Sequence, residues 1–178
     1  MTRECHVRFC ERLAGKFRWS THLALMLWRT SHPHTAIVGP IPGTEHFRNI
    51  DRHEVDQCDR IVALRIDESL FFGNVRYLDN QINQIVADNE GRLQHLILMA
   101  SGINHIDSTA LEKLLDTNRR LKDKGITVHM SEVKGPVLDR LQRVKFSEQL
   151  TGSIYLSQHQ AWLALTAGNS PCPTAYDC

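Results

Sequence analysis

The residues in this 178-residue chain best suited to chemistry are Asp107, Ser108 and Thr109, with His105 two positions before them. The run Leu96-Ile97-Leu98-Met99 upstream is apolar without alternation, the pattern of a strand covered on both faces. Leu111, Leu114, Leu115 and Leu121 downstream recur at helical spacing. The polar triplet therefore marks a helix N-terminus fed by a buried strand. Such an end carries unpaired backbone N–H groups and the positive pole of the peptide dipoles, so it favours an anion or a phosphoryl group. Asp107 and Ser108 also carry oxygens of the kind that cap a helix. Ser108 has two compatible readings, a capping hydroxyl or an exposed phosphorylation or anion-contact site. Asp107 beside it opposes any added negative charge.

Bond-breaking chemistry has no comparable support. Ser108 has no general base evident nearby, and no carboxylate pair or nucleophile–base pair stands out, so no catalytic residue is assigned. No metal site is assigned either. Cys5, His6 and Cys10 match no common zinc spacing, and His32, His34, His46 and His53 are scattered over a polar segment without completing ligands. Neither phosphate-cradling glycine pattern, G-x-x-x-x-G-K-[ST] or G-x-G-x-x-G, occurs, and no cofactor is expected. Glu132, Lys134 and Gly135 form a strand-to-helix turn on the same sheet end as Ser108, where ligands of open α/β sheets collect.

The elements that position these residues follow from periodicity. Strands are expected at 35–38, 61–66, 96–99, 126–130 and 154–156. The polar stretch 46–55 could extend along a sheet edge. A helix is expected from Asn74, a candidate N-cap, through Val75, Leu78, Ile82, Ile85 and Val86 to a stop at Gly91. Others are expected over 108–124, from Pro136 through Val137, Leu138, Leu141 and Val144, and from Ser157 through Trp162, Leu163 and Leu165. Phe71 and Phe72 open the first of these helices, either as core or as an exposed docking anchor. Strands leading, then strand and helix alternating, point to an α/β fold with a mixed, mostly parallel sheet of about four to six strands and about four to five helices packed on it.

The chain carries 21 Lys/Arg against 20 Asp/Glu, a net charge of +1, so no global attraction to nucleic acid is expected. The charge is uneven, since the first 30 residues hold six basic residues (Arg3, Arg8, Arg12, Lys16, Arg18, Arg29) and two acids (Glu4, Glu11). This leader is either a solvated flank or a segment drawn to anionic lipid. The apolar run 23–28 reads as the tail of a helix ending before Pro33, and no segment approaches the ~20 apolar residues of a membrane span. Five cysteines without a C-x-x-C pair suggest reduced thiols rather than a disulfide framework.

The segment Ser101-Gly102-Ile103-Asn104-His105-Ile106-Asp107-Ser108-Thr109-Ala110-Leu111, between a strand and a helix that ends at Lys124-Gly125, resembles the STAS domain (sulfate transporter and anti-sigma factor antagonist). Two further stretches resemble the SulP sulfate permease branch of that family. One is Arg29-Thr30-Ser31-His32-Pro33-His34 with Val38-Gly39-Pro40-Ile41-Pro42-Gly43-Thr44-Glu45-His46-Phe47-Arg48-Asn49, like the linker to a C-terminal cytoplasmic STAS domain. The other is Glu68-Ser69-Leu70-Phe71-Phe72-Gly73-Asn74, like its Phe-rich turn.

The resemblance implies a SpoIIAA-like STAS fold and a non-enzymatic regulatory or docking role in anion transport. The alternative is a stand-alone anti-sigma-factor-antagonist-like protein switched by phosphorylation at Ser108. It implies a phospho, anion or partner site at His105, Asp107, Ser108 and Thr109, docking through Phe71 and Phe72, and a position at the cytoplasmic face of the inner membrane. The implied partner is a transporter transmembrane domain, with nucleotide or acyl carrier protein as further family partners and no nucleic acid. The expected organisation is a basic leader or remnant over 1–31, a SulP-type linker and first strand over 32–57, the STAS core over 58–166 and a disordered tail over 167–178. A chain of this kind is expected to be a detached domain or a truncated product.

Overall fold

The computed structural model describes residues 21–89 and 91–167. The chain divides into two units, residues 1–32 and 33–178. In the first, residues 21–30 form a helix, α1. The expected leader and tail otherwise lie outside the described residues, except that Ala167, assigned to the tail, is helical. Cys5, His6 and Cys10 also lie outside them.

The second unit is a six-stranded mixed sheet with helices on both faces. Its strands are β1 (Thr35–Pro40), β2 (Phe47–Asn49), β3 (Ile61–Ile66), β4 (His95–Met99), β5 (Thr127–Ser131) and β6 (Ile154–Tyr155). Its helices are α2 (Val75–Asp88), α3 (Ser108–Asp123), α4 (Gly135–Arg143), α5 (Phe146–Gln149) and α6 (Gln158–Ala167). The order across the sheet is β2-β1-β3-β4-β5-β6. β1 pairs antiparallel with β2 and β3, whereas β3, β4, β5 and β6 run parallel in succession, with Ala63 beside Ile97 and Ile97 beside His129. The parallel part arises because each of these strands is followed by a helix that crosses back over the sheet.

Period-two alternation sorts the strand side chains into two cores. Val62, Leu64, Ile66, Leu96, Leu98, Val128 and Met130 face α2, α3, α4 and α5, where they meet Leu78, Ile82, Leu111, Leu141 and Phe146. Ala36, Val38, Ile61, Ala63 and Ile97 face the other way, onto Ala161 and Leu165 of α6 and onto Phe47. The unbroken apolar runs of β3 and β4 reflect this double coverage.

Several expectations need adjustment. Residues 146–149 form a short helix that the apolar periodicity did not suggest; Lys145, in the left-handed region at φ 52°, turns the chain so that Phe146 enters the core. Val144, expected on the core face of α4, is its C-cap and 41% exposed, and Leu163 of α6 is also exposed. Cys58 is disulfide-bonded, against the expectation of reduced thiols.

Buried polar groups tie the helices together. Asp79 of α2 accepts hydrogen bonds from Thr117 Oγ1 (2.7 Å) and the Arg120 guanidinium (2.6 Å) of α3, with Lys113 Nζ at 3.1 Å. Burial alone would raise the Asp79 pKa, but these donors outweigh it and hold it below the usual carboxylate value. Asn118 donates to the Gln149 carbonyl (2.8 Å) and accepts from the Thr151 N–H and hydroxyl, so the chain after α5 is fastened to α3.

Candidate functional site

The site lies at the carboxyl ends of β3, β4 and β5, where three connections meet. The first, residues 67–74, and the second, residues 100–107, are laced by backbone bonds: Leu70 N–H to His105 O (3.0 Å) and Asp107 N–H to Leu70 O (3.1 Å). Ser69 Oγ accepts the His105 N–H at 3.1 Å. Gly102 permits this approach, because a Cβ there would lie 2.5 Å from both Asp67 Cα and the Ile66 carbonyl oxygen.

Asp107 is the pivot. Its backbone is extended and its Oδ1 accepts the Ala110 N–H at 2.7 Å, making it the N-cap of α3. Its Oδ2 accepts the Phe72 N–H of the other loop at 2.9 Å. One carboxylate therefore fixes both the helix start and the position of Phe72. This corrects the reading of Ser108 as a cap. Ser108 is the first residue of α3, it is exposed, and its hydroxyl and that of Thr109 have no hydrogen-bond partner among the described residues. The backbone N–H groups of Ser108 and Thr109 likewise make no bond among the described residues, since Asp107 satisfies Ala110 and Leu111 instead.

The expected pair Phe71 and Phe72 separates. Phe72 is 71% exposed, whereas Phe71 is half-buried and meets its neighbour edge-on at 5.8 Å between ring centroids. Asn74 stands at the N-cap of α2 but does not cap with its side chain. It is fully buried, accepts the Phe71 N–H (3.0 Å) and donates to the Ser69 carbonyl (2.8 Å), so it holds the Phe-bearing turn in shape.

The third connection supplies cations. Lys134 Nζ donates to Asn104 Oδ1 at 2.6 Å, and Arg140 of α4 lies 3.3 Å from His105 Nε2. Arginine only donates, so His105 accepts there through an unprotonated Nε2. Arg140 and Asn104 escaped the sequence reading, because a lone Arg on an amphipathic helix and an Asn in a turn carry no signal until the loops are brought together. His105, Asp107, Ser108, Thr109, Lys134 and Arg140 thus share one sheet end: exposed hydroxyls at a helix N-terminus with a guanidinium and an ammonium nearby. This arrangement can receive an anion or a partner's acidic group. Among the described residues no group of three or more His, Cys, Asp or Glu could hold a metal ion. No helix among them is long and apolar enough to cross a membrane.

A bridged pair of loops leading into an exposed Asp-Ser-Thr helix start, on a mixed sheet, defines a fold of the STAS class. A family model of the STAS domain matches residues 52–161, and the chain belongs to that family. Among curated relatives, Sulfate transporter 1.3 of Arabidopsis thaliana is 28% identical over 134 residues, which are 70% of this chain and 20% of the relative. The chain thus spans about a fifth of the length of the transporters it matches. Among solved structures, the murine Solute Carrier 26 family member A9 anion transporter, in its inward-facing state, superposes with a TM-score of 0.70 at 14% identity, covering 83% of this chain and 24% of that one. The anti-sigma factor antagonist SpoIIAA in its unphosphorylated form superposes at 0.52 and 14% identity, covering 64% of this chain and 97% of that one. The shared fold is that of the STAS domain, and sulfate transporters are among the chain's relatives.

Proposed function

We propose that this chain acts as the STAS module of a SulP-type anion transporter, a non-catalytic domain at the cytoplasmic face that docks against the transmembrane part and regulates it. The observation that carries the reading is the dual bond of Asp107. An aromatic side chain 71% exposed to solvent, Phe72, is held by the same carboxylate that starts α3, so a contact made by Phe72 is felt at Ser108 and the reverse. An exposed aromatic on a braced loop suits a protein partner, and the hydroxyl–cation cluster beside it suits a phosphoryl group, a nucleotide or an acidic partner such as acyl carrier protein.

The test is co-purification of the chain with the membrane core of a sulfate transporter stripped of its own STAS domain. Capture is expected, with Phe72→Ala weakening it about tenfold, roughly the loss of one interface aromatic. Capture unchanged in Phe72→Ala removes this surface. The exposed hydroxyl of Ser108, on a fold that also superposes on an anti-sigma factor antagonist, favours one second reading: a stand-alone switch phosphorylated at Ser108. Failure to bind any membrane core, together with a phosphate on Ser108 found by mass spectrometry of the native protein, selects that reading.

A further inference from the structure

We propose that Cys58 forms its disulfide with Cys172, so that the segment following α6 straps that helix to the sheet, and that low-molecular-weight thiols and disulfides open and close the strap. Cys58 is disulfide-bonded and is the one cysteine among the described residues, so its partner is Cys5, Cys10, Cys172 or Cys178. Its side chain is 6% exposed and belongs to the same core as Ala161 and Leu165 of α6. With Ile61 and with Trp162 of α6 it lines one cleft of about 150 Å³.

Chain direction selects the partner. Gln158, the first residue of α6, meets Ser131, the last residue of β5, whose hydroxyl donates to Gln158 Oε1 at 2.5 Å. Trp162 and Leu165 then lie with Cys58 and with Ile61, the first residue of β3. The helix therefore runs from the carboxyl ends of the parallel strands to their amino ends, and the chain leaves it beside Cys58. Cys172 follows Ala167 by five residues, a reach of up to about 17 Å. The Cα atoms of a bridged pair are usually ~5.5–6 Å apart, so this reach is ample. Cys178 is six residues further on and closes a looser loop at greater entropic cost. Cys5 and Cys10 precede α1, and the chain enters β1 at Thr35, which pairs with Ile66 at the end of β3 away from Cys58.

Placement makes the bond a switch. In a compartment that keeps thiols reduced, a disulfide is transient and redox-responsive; this step rests on the cytoplasmic position proposed above. Opening is thiol–disulfide exchange. A thiolate attacks one sulfur of the bridge, forms a mixed disulfide and releases the other cysteine as a thiolate. A second thiolate resolves the mixed disulfide, leaving two cysteine thiols and one low-molecular-weight disulfide, and closure is the reverse. The fold gives the event an effect. Among the described residues α6 is the helix that covers Ala36, Val38 and Ile97, yet its buried side chains are only Gln158, Ala161 and Leu165. An element held by so few contacts opens readily, so a tether at its end governs its order.

The test is mass-spectrometric peptide mapping of the full chain, with free thiols trapped by an alkylating agent, at several ratios of reduced to oxidised glutathione. The Cys58–Cys172 peptide is expected in the oxidised buffers and two alkylated cysteines in the reduced ones. Hydrogen exchange of the α6 amides is expected to quicken by about tenfold or more in Cys172→Ser, with β3, β4 and α3 unchanged. Reduction of the parent is expected to do the same without a substitution, and Cys178→Ser to leave both readouts as in the parent. Cys58 joined to any other cysteine, no bond at any ratio, a bond that persists at every ratio, or unchanged α6 exchange overturns the proposal. None of these readouts involves a transporter core, so failure here is separate from failure of the docking reading.

Discussion

The Asp107 carboxylate and the Phe72 backbone amide are 2.9 Å apart although 35 residues separate them in sequence, and the same carboxylate caps α3 at Ala110. A residue that resembles an ordinary helix cap is thus also the fastening between two loops. Asp107→Ala is expected to cost about 2 kcal/mol, one cap plus one charge-assisted bond. Ser108→Ala, outside the cap, is expected within about 0.5 kcal/mol of the parent. Urea denaturation measures both, and faster hydrogen exchange at the Phe72 amide in Asp107→Ala alone identifies the second bond.

The Asp79 cluster predicts a helix–helix coupling. Asp79→Ala removes the acceptor shared by Thr117, Lys113 and Arg120 and is expected to destabilise by about 2–3 kcal/mol. Because the Asp79 pKa is lowered on folding, its contribution is full above the unfolded carboxylate value and fades as pH falls through the folded one. Denaturation of parent and variant at neutral and strongly acidic pH should therefore converge at the acid end.

His129 predicts a second acid sensitivity, at less acidic pH. It is 5% exposed, its Nδ1 accepts the Ser153 N–H at 3.1 Å, and its Nε2 faces His95 Nδ1 at 3.3 Å. The backbone donor at Nδ1 places the proton of the neutral ring on Nε2, which donates to His95. Burial, reinforced by His95, pushes the His129 pKa down to about 4. The unfolded chain then binds more protons than the folded one between pH ~6.5 and ~4, so stability falls as pH drops through that window, by up to roughly 3 kcal/mol. A pH series of thermal melts, flattened in this range by His129→Gln, checks it.

Gly102 predicts an intolerant position. Gly102→Ala places a methyl group 2.5 Å from the Ile66 carbonyl oxygen and Asp67 Cα, both backbone, so the two loops must part. A loss of about 2–3 kcal/mol is expected, of the size seen for overpacking. Gly43→Ala, with open space around it but φ of 74°, should cost only about 1 kcal/mol. Chemical denaturation of the two variants side by side separates crowding from conformational strain.

The strands β3 and β4 and the helices α2 and α3 were legible because their apolar residues obey a single period and because Gly125, at positive φ, directly follows the C-cap of α3. The Asp-Ser-Thr helix start was legible for the same reason. Which of two neighbouring cap-formers does the capping was not. Aspartate and serine are equivalent by type, and the choice depends on the Phe72 amide, which reaches the site only through tertiary structure. Phe71 and Phe72 were likewise indistinguishable in sequence, since which ring turns outward depends on the turn held by Asn74. The His95–His129 contact was hidden because it joins two parallel neighbours whose register emerges only from the assembled sheet.

The outer strands of the sheet, β2 and β6, are only three and two residues long. Rims this brief offer a visiting chain too few open ladder groups to zip onto, so the fold resists templated fibre growth. Copies of it can be crowded together with few open edge groups through which their sheets could fuse.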